Sequence, residues 1–214
     1  DCRRHPAVDE PLAQFAAGEY MRAAHGAAEG QRLLDMNARM NYGIYRMLGG
    51  KDMKASLPLD RYPSALAYAA VVYGKAPYFY PALRARLGRK RFDRALRRAT
   101  RENRFKTVTL RSWLASLRRG AGGSPHVDAL ARRYFHGTFG DADLGVDGSG
   151  DAVLSLMLGK QALARLKQGL GTLGLSPRAL FRMLLGNMMR GQGGAPGGGL
   201  DPLKALRQLQ KGAR

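Results

Sequence analysis

The chain has 214 residues, 45% hydrophobic and 24% charged, a composition that builds a packed core and excludes a disordered chain. Its one cysteine, Cys2, excludes an internal disulfide framework. The formal charge of +20, from 36 Lys and Arg against 16 Asp and Glu, admits a polyanionic partner. The 27 Arg and 9 Lys, set among many Ala and Gly, equally fit a GC-rich genome, so the 14 cations between Arg84 and Arg119 read first as a solvated helical surface. No run of about 18 uninterrupted apolar residues suits a membrane span; the best, Tyr62 to Pro81, is broken by Lys75 and prolines. The chain opens on Asp1 with nothing resembling a signal peptide, and reads as a piece of something longer.

In chain order the pattern is helical, with almost no strand alternation. Pro6 suits a helix start, and Val8, Leu12, Phe15 and Tyr20 follow at helical spacing, so a helix is expected over Pro6 to His25. Leu33, Leu34, Met36, Met40, Ile44, Tyr45 and Leu48 repeat by threes and fours until Gly49-Gly50 stops them. Lys51 to Asp60 reads as a loop. Ser64 to Leu87 is apolar on most faces, a buried central helix that Pro77 and Pro81 should break or kink. Further helices follow through Phe92, Leu96 and Ala99, then from an N-cap at Thr109 through Trp113 and Leu117, then through Val127 to Phe135. The expected organisation is all-α: a helical subdomain over 1–140, a Gly/Asp-rich linker over 141–150 and an apolar helical extension over 151–190. A glycine linker over 191–200 and a short amphipathic helix over 201–214 end the chain. Within the extension, helices are expected over Asp151 to Leu170 and Ser176 to Met189.

Chemistry-bearing residues are sparse. His5, His25, His126 and His136 never stand four apart, so they encode no two-histidine zinc helix. Asp141, Asp143, Asp147 and Asp151 lack the EF-hand order of acids, glycine and glutamate. Cys2 beside Arg3 and Arg4 has no histidine partner in pattern, and the glycine pairs lack Walker spacing.

Two segments stand out. The first is His5-Pro6-Ala7-Val8-Asp9-Glu10-Pro11-Leu12-Ala13-Gln14-Phe15-Ala16. The second is Val72-Tyr73-Gly74-Lys75-Ala76, trailed by Leu83-Arg84 and Leu87-Gly88. The first resembles the glutamate-bearing helix of the aminopeptidase N-like (gluzincin) zinc metallopeptidases, with its Asn-Glu-Gly-Phe-Ala. The second is similar to that family's Val-Tyr-Glu-Lys-Gly. Phe92, Ala95-Leu96-Arg97, Phe105-Lys106, Trp113 and Tyr134-Phe135-His136-Gly137 recur in the family's order, so the resemblance covers about Asp1 to Gly145. The departures are Pro11-Leu12 for Gly-Phe, Gly74 for glutamate, Ala76 for glycine, and no Gly-Leu-Pro exit to a β-sandwich.

The resemblance implies a fold like the second half of a thermolysin-like catalytic domain. It implies Glu10 as the third zinc ligand and Tyr73 as the donor to the oxyanion of a tetrahedral intermediate. The family's His-Glu-x-x-His helix, about eighteen residues ahead of that glutamate, would fall before Asp1. Zn2+ therefore belongs only to the intact parent, and the implied partners are the N-terminal portion carrying His-Glu-x-x-His and a peptide substrate. A secreted or envelope-associated bacterial location is favoured. Other readings of the same residues stay open. Glu10 and Asp9 also suit the helix dipole, Tyr68, Tyr78 and Tyr80 rival Tyr73, and Lys75 reads as structural. For the whole chain the alternatives are a non-enzymatic basic module for nucleic acid or anionic membrane, and a degenerate peptidase-like scaffold.

Overall fold

The computed structural model describes residues 3–146, 148–172, 174–181 and 183. Every regular element among them is helical, as the spacing of the apolar residues requires. They fall into two compact units, Asp1–Gly148 and Ser149–Arg214, divided inside the Gly/Asp-rich stretch.

In the first unit, a turn through Pro6 leads into α1 (Glu10–His25), which begins at Glu10 rather than at Pro6. Pro11 falls in the first helical turn, where its missing N–H has no partner to lose. Gly26, at φ +96°, breaks the chain before α2 (Ala27–Leu34). The two helices touch closely at Gly18 and Gly30: a Cβ on Gly30 would lie 2.7 Å from the Gly18 carbonyl oxygen. A π-helical turn, Asp35–Arg39, then joins α2 to α3 (Met40–Met47).

The expected buried central helix is present as a continuous helical path whose pitch changes three times. Ser64 caps α4 (Ala65–Tyr68), its hydroxyl accepting from Ala67 N at 3.1 Å. A π-segment (Ala69–Lys75), a 3₁₀ turn (Ala76–Tyr78) and α5 (Phe79–Leu87) follow. The prolines change the pitch rather than ending the helix. Pro77 has no N–H for the Tyr73 carbonyl and its ring would press on that oxygen. The turn ahead of it is wide, with Ala76 N donating five residues back to the Val71 carbonyl. Pro81 sits in the first turn of α5, where a proline is tolerated.

After Gly88 at φ +74° come α6 (Arg89–Asn103), α7 (Leu110–Gly120) and α8 (Pro125–Tyr134). Thr109 caps α7 as expected, in a reciprocal capping box with Ser112. The core joins these helices through aromatic rings. Phe15 stacks on Tyr80 at 5.2 Å and meets Phe92 edge-on at 5.6 Å, and Phe79 lies 4.8 Å from Phe135. Tyr80 is fully buried, and its hydroxyl accepts from Trp113 Nε1 at 3.2 Å. The Gly/Asp-rich stretch is not all linker. It opens with α9 (Gly140–Leu144), tied down by Asp141 to Arg46 and Tyr42 and by Leu144, whose carbonyl accepts from Arg39. Buried Leu144 and Val146 explain why: two apolar anchors among the polar residues suffice to dock it.

In the second unit, the helix expected from Asp151 to Leu170 is two, α10 (Asp151–Leu158) and α11 (Lys160–Gly171), because Gly159 stands at φ +82°. An ion pair from Lys167 to Asp151 links them. Ser176 opens the next helical turn, its hydroxyl accepting from Ala179 N at 3.1 Å. The remainder of the helix expected to Met189, the glycine run and the final amphipathic helix lie outside the described residues. Among the described residues no helix is long and apolar enough to cross a membrane.

Candidate active site

Glu10 is the first residue of α1, at a half-buried position on the edge of the core. Tyr73 lies on the π-segment, also half-buried and packed against the core cluster. α1, which opens on Glu10, packs against the π-segment that carries Tyr73. Burial first, and then the nearby Glu10 carboxylate, push the Tyr73 phenol above the ordinary tyrosine range.

The rival tyrosines separate cleanly. Tyr80 is fully buried with its hydroxyl committed to Trp113. Tyr78 donates to Asp35 at 3.1 Å. Tyr68 alone shares the neighbourhood: its ring meets that of Tyr73 edge-on at 5.6 Å, and the two phenols interact. Their five-residue spacing would point them apart on an α-helix, and the wide π turn is what lets them meet. Asp9 is exposed and makes no side-chain cap for α1.

Gly74 follows from packing. A Cβ there would stand 3.0 Å from both the Ala38 carbonyl oxygen and Tyr42 Cβ, so the π-segment lies hard against the Asp35–Arg39 turn and α3. A glutamate, the residue of the resembling family, has no room at this point.

Lys75 reads as structural from its sequence, and Asp52 carries no signal there. Lys75 is fully buried. Its Nζ donates to Asp52 Oδ1 at 2.7 Å, to the Met53 carbonyl and to the Gly137 carbonyl at 3.0 Å. Burial pulls this ammonium below the ordinary lysine range, against the opposing pull of Asp52. Asp52 Oδ2 accepts from Gly140 N at 2.8 Å. The one legible signal was a lone lysine in an otherwise apolar run, which must find acceptors if it is buried.

Among the described residues no group of three or more His, Cys, Asp and Glu side chains could hold a metal ion. The zinc that the resemblance implies needs three protein ligands; the residues here offer the single carboxylate of Glu10 and do not fit zinc by themselves. The aspartates once comparable to a calcium loop are engaged elsewhere: Asp141 with Arg46, Asp143 with Arg133, Asp151 with Lys167. His136 bonds Ser56 at 3.0 Å through Nδ1.

What the described residues define is an all-helical fold with Glu10 and Tyr73 half-buried on two elements that pack together beside an aromatic core. No protein-family model, no curated protein and no solved structure matches the chain.

Proposed function

We propose that this chain is the C-terminal half of the catalytic domain of an aminopeptidase N-like zinc peptidase, inactive without a segment carrying His-Glu-x-x-His. The observation that carries the reading is that α1, which opens on Glu10, packs against the π-segment that carries Tyr73, with both residues half-buried. Composition does not demand that encounter, and the resemblance does. The substrate class is a peptide cleaved near its free N-terminus.

The roles open to this chain's residues are two. Glu10 offers a carboxylate whose position is set by the first turn of a helix anchored by buried Pro11 and Phe15. Tyr73 offers a neutral hydroxyl, a donor for the oxygen that gains charge when a carbonyl is attacked.

The test is made in the longer polypeptide that includes the residues ahead of Asp1. Glu10→Gln should lower bound zinc, measured by elemental analysis. Tyr73→Phe should retain zinc and lose about a hundredfold or more in turnover of an aminoacyl anilide, the loss expected for one oxyanion donor. Upstream sequence without His-Glu-x-x-His, or full turnover in Tyr73→Phe, would overturn the reading.

A further inference from the structure

Building on the reading of Tyr73 as an oxyanion donor, we propose that Lys75 and Asp52 are positioning residues: their buried pair lashes the Lys51–Pro58 loop and the Gly137–Gly140 turn to the π-segment and so holds the Tyr73 phenol in place.

The need arises in the backbone. The π-segment bonds five residues back, and Pro77 supplies no N–H to the Tyr73 carbonyl, so the turn carrying the phenol lacks an ordinary helical bond at its own residue. Support has to come from outside the helix. Two residues beyond Tyr73, the Lys75 ammonium spends all three of its N–H groups on Asp52, Met53 and Gly137. Asp52 extends the tie to Gly140 N. The housing is shaped around the lysine stem, since a Cβ on Gly140 would stand 2.8 Å from Lys75 Cδ and 2.5 Å from the Tyr42 hydroxyl.

The same loop grips the phenol from a second direction. The Lys54 carbonyl accepts from the Tyr62 hydroxyl at 3.0 Å. The Tyr62 ring meets Tyr68 edge-on at 5.4 Å, and Tyr68 meets Tyr73 at 5.6 Å. One loop therefore reaches Tyr73 through a file of rings on one side and through a buried cation on the other. Stability alone does not call for such a pair, because apolar residues of like volume often serve a core as well as a buried ion pair does. A fixed geometry does call for it.

The experiment labels the tyrosines of the full chain with ¹³C at Cζ and assigns the Tyr73 resonance by its absence in Tyr73→Phe. In Lys75→Met the Tyr73 line should shift and broaden, while those of Tyr78 and Tyr80 stay in place. Lys75→Met/Asp52→Asn removes the stranded charge as well as the tie. It should regain most of the thermal stability, yet leave the Tyr73 line displaced, and it carries the test if the single variant does not fold. A double variant that recovers both stability and the wild-type Tyr73 line would overturn the proposal, as would an unmoved line in Lys75→Met. In the intact parent the same double variant should lose about a hundredfold in kcat with KM unchanged, the penalty of a misplaced catalytic group. The resonance reads positioning alone and Tyr73→Phe turnover reads the oxyanion role alone, so failure of one is distinguishable from failure of the other.

Discussion

The surroundings of the π-segment and the surface of α6 and α7 use charge in opposite ways. Around Lys75 one cation is wholly buried and its ammonium has three named acceptors. Along α6 and α7 the cations are many, and Arg94, Arg97, Arg98, Arg101, Arg118 and Arg119 are exposed. The aromatic residues repeat the contrast. Tyr62, Tyr68 and Tyr73 meet edge-on in file, whereas Phe105, between α6 and α7, is 92% exposed at φ +62° with the Arg104 guanidinium over its ring. Charge number does not locate function. A desolvated charge is held by geometry, and a hydrated one is largely free of it.

The sharpest way to break this contrast is to remove one cation from each region. Lys75→Met strands Asp52 in the interior and should destabilise the fold by about 3–5 kcal/mol in urea unfolding. Equal losses from Lys75→Met and Arg94→Met would erase the distinction. Next in size is Gly74→Glu, which introduces the residue that the resembling family carries. With neighbours at 3.0 Å it should cost about 1–3 kcal/mol or more as overpacking, read by the same unfolding curve.

Alkali should act on the buried side alone. Burial raises the phenols of Tyr42, Tyr62 and Tyr80 in the folded chain above the reference value of 10.0. Below pH 10 both states keep these protons and their contribution is level. Above it the unfolded chain loses them first, so that contribution falls as pH rises. The stability difference between the wild type and Tyr62→Phe, read from urea midpoints over pH 8 to 11, should be level and then drop.

The smallest effects belong to the basic face. Arg94→Gln and Arg101→Gln should each change stability by no more than about 0.5 kcal/mol. Glu102, held at about 2 by hydrogen bonds first from Arg119 and then from Arg98, makes a contribution that is present above pH 4.5 and fades as pH falls toward 2. Glu102→Gln should abolish only that acid limb in thermal melts.

Periodicity was enough to read the helical class, because apolar spacing repeats whether a turn is α or π. Element ends were less legible. Pro6 carries a helix-start signal, yet α1 waits until Glu10. Gly159 lies in what reads as one helix and divides it, since a single glycine at positive φ leaves no trace in the spacing around it. Glu10 and Tyr73 were legible only through motif order. Nothing in spacing alone distinguishes Tyr73 from Tyr68, Tyr78 or Tyr80. Their separation depends on which hydroxyl Trp113 and Asp35 occupy, and those partners lie far away in sequence. Asp52 was illegible for the same reason: its three contacts come from Lys75, Gly140 and its own neighbour Met53, and the first two are assembled by folding.

Whether Glu10 and Tyr73 share one site is read most directly from the ¹³Cζ resonance of Tyr73 at neutral pH in the wild-type chain and in Glu10→Gln. Removing the carboxylate charge should move the Tyr73 line and leave those of Tyr78 and Tyr80 where they are. A Tyr73 line indifferent to Glu10 would put the two residues in separate places.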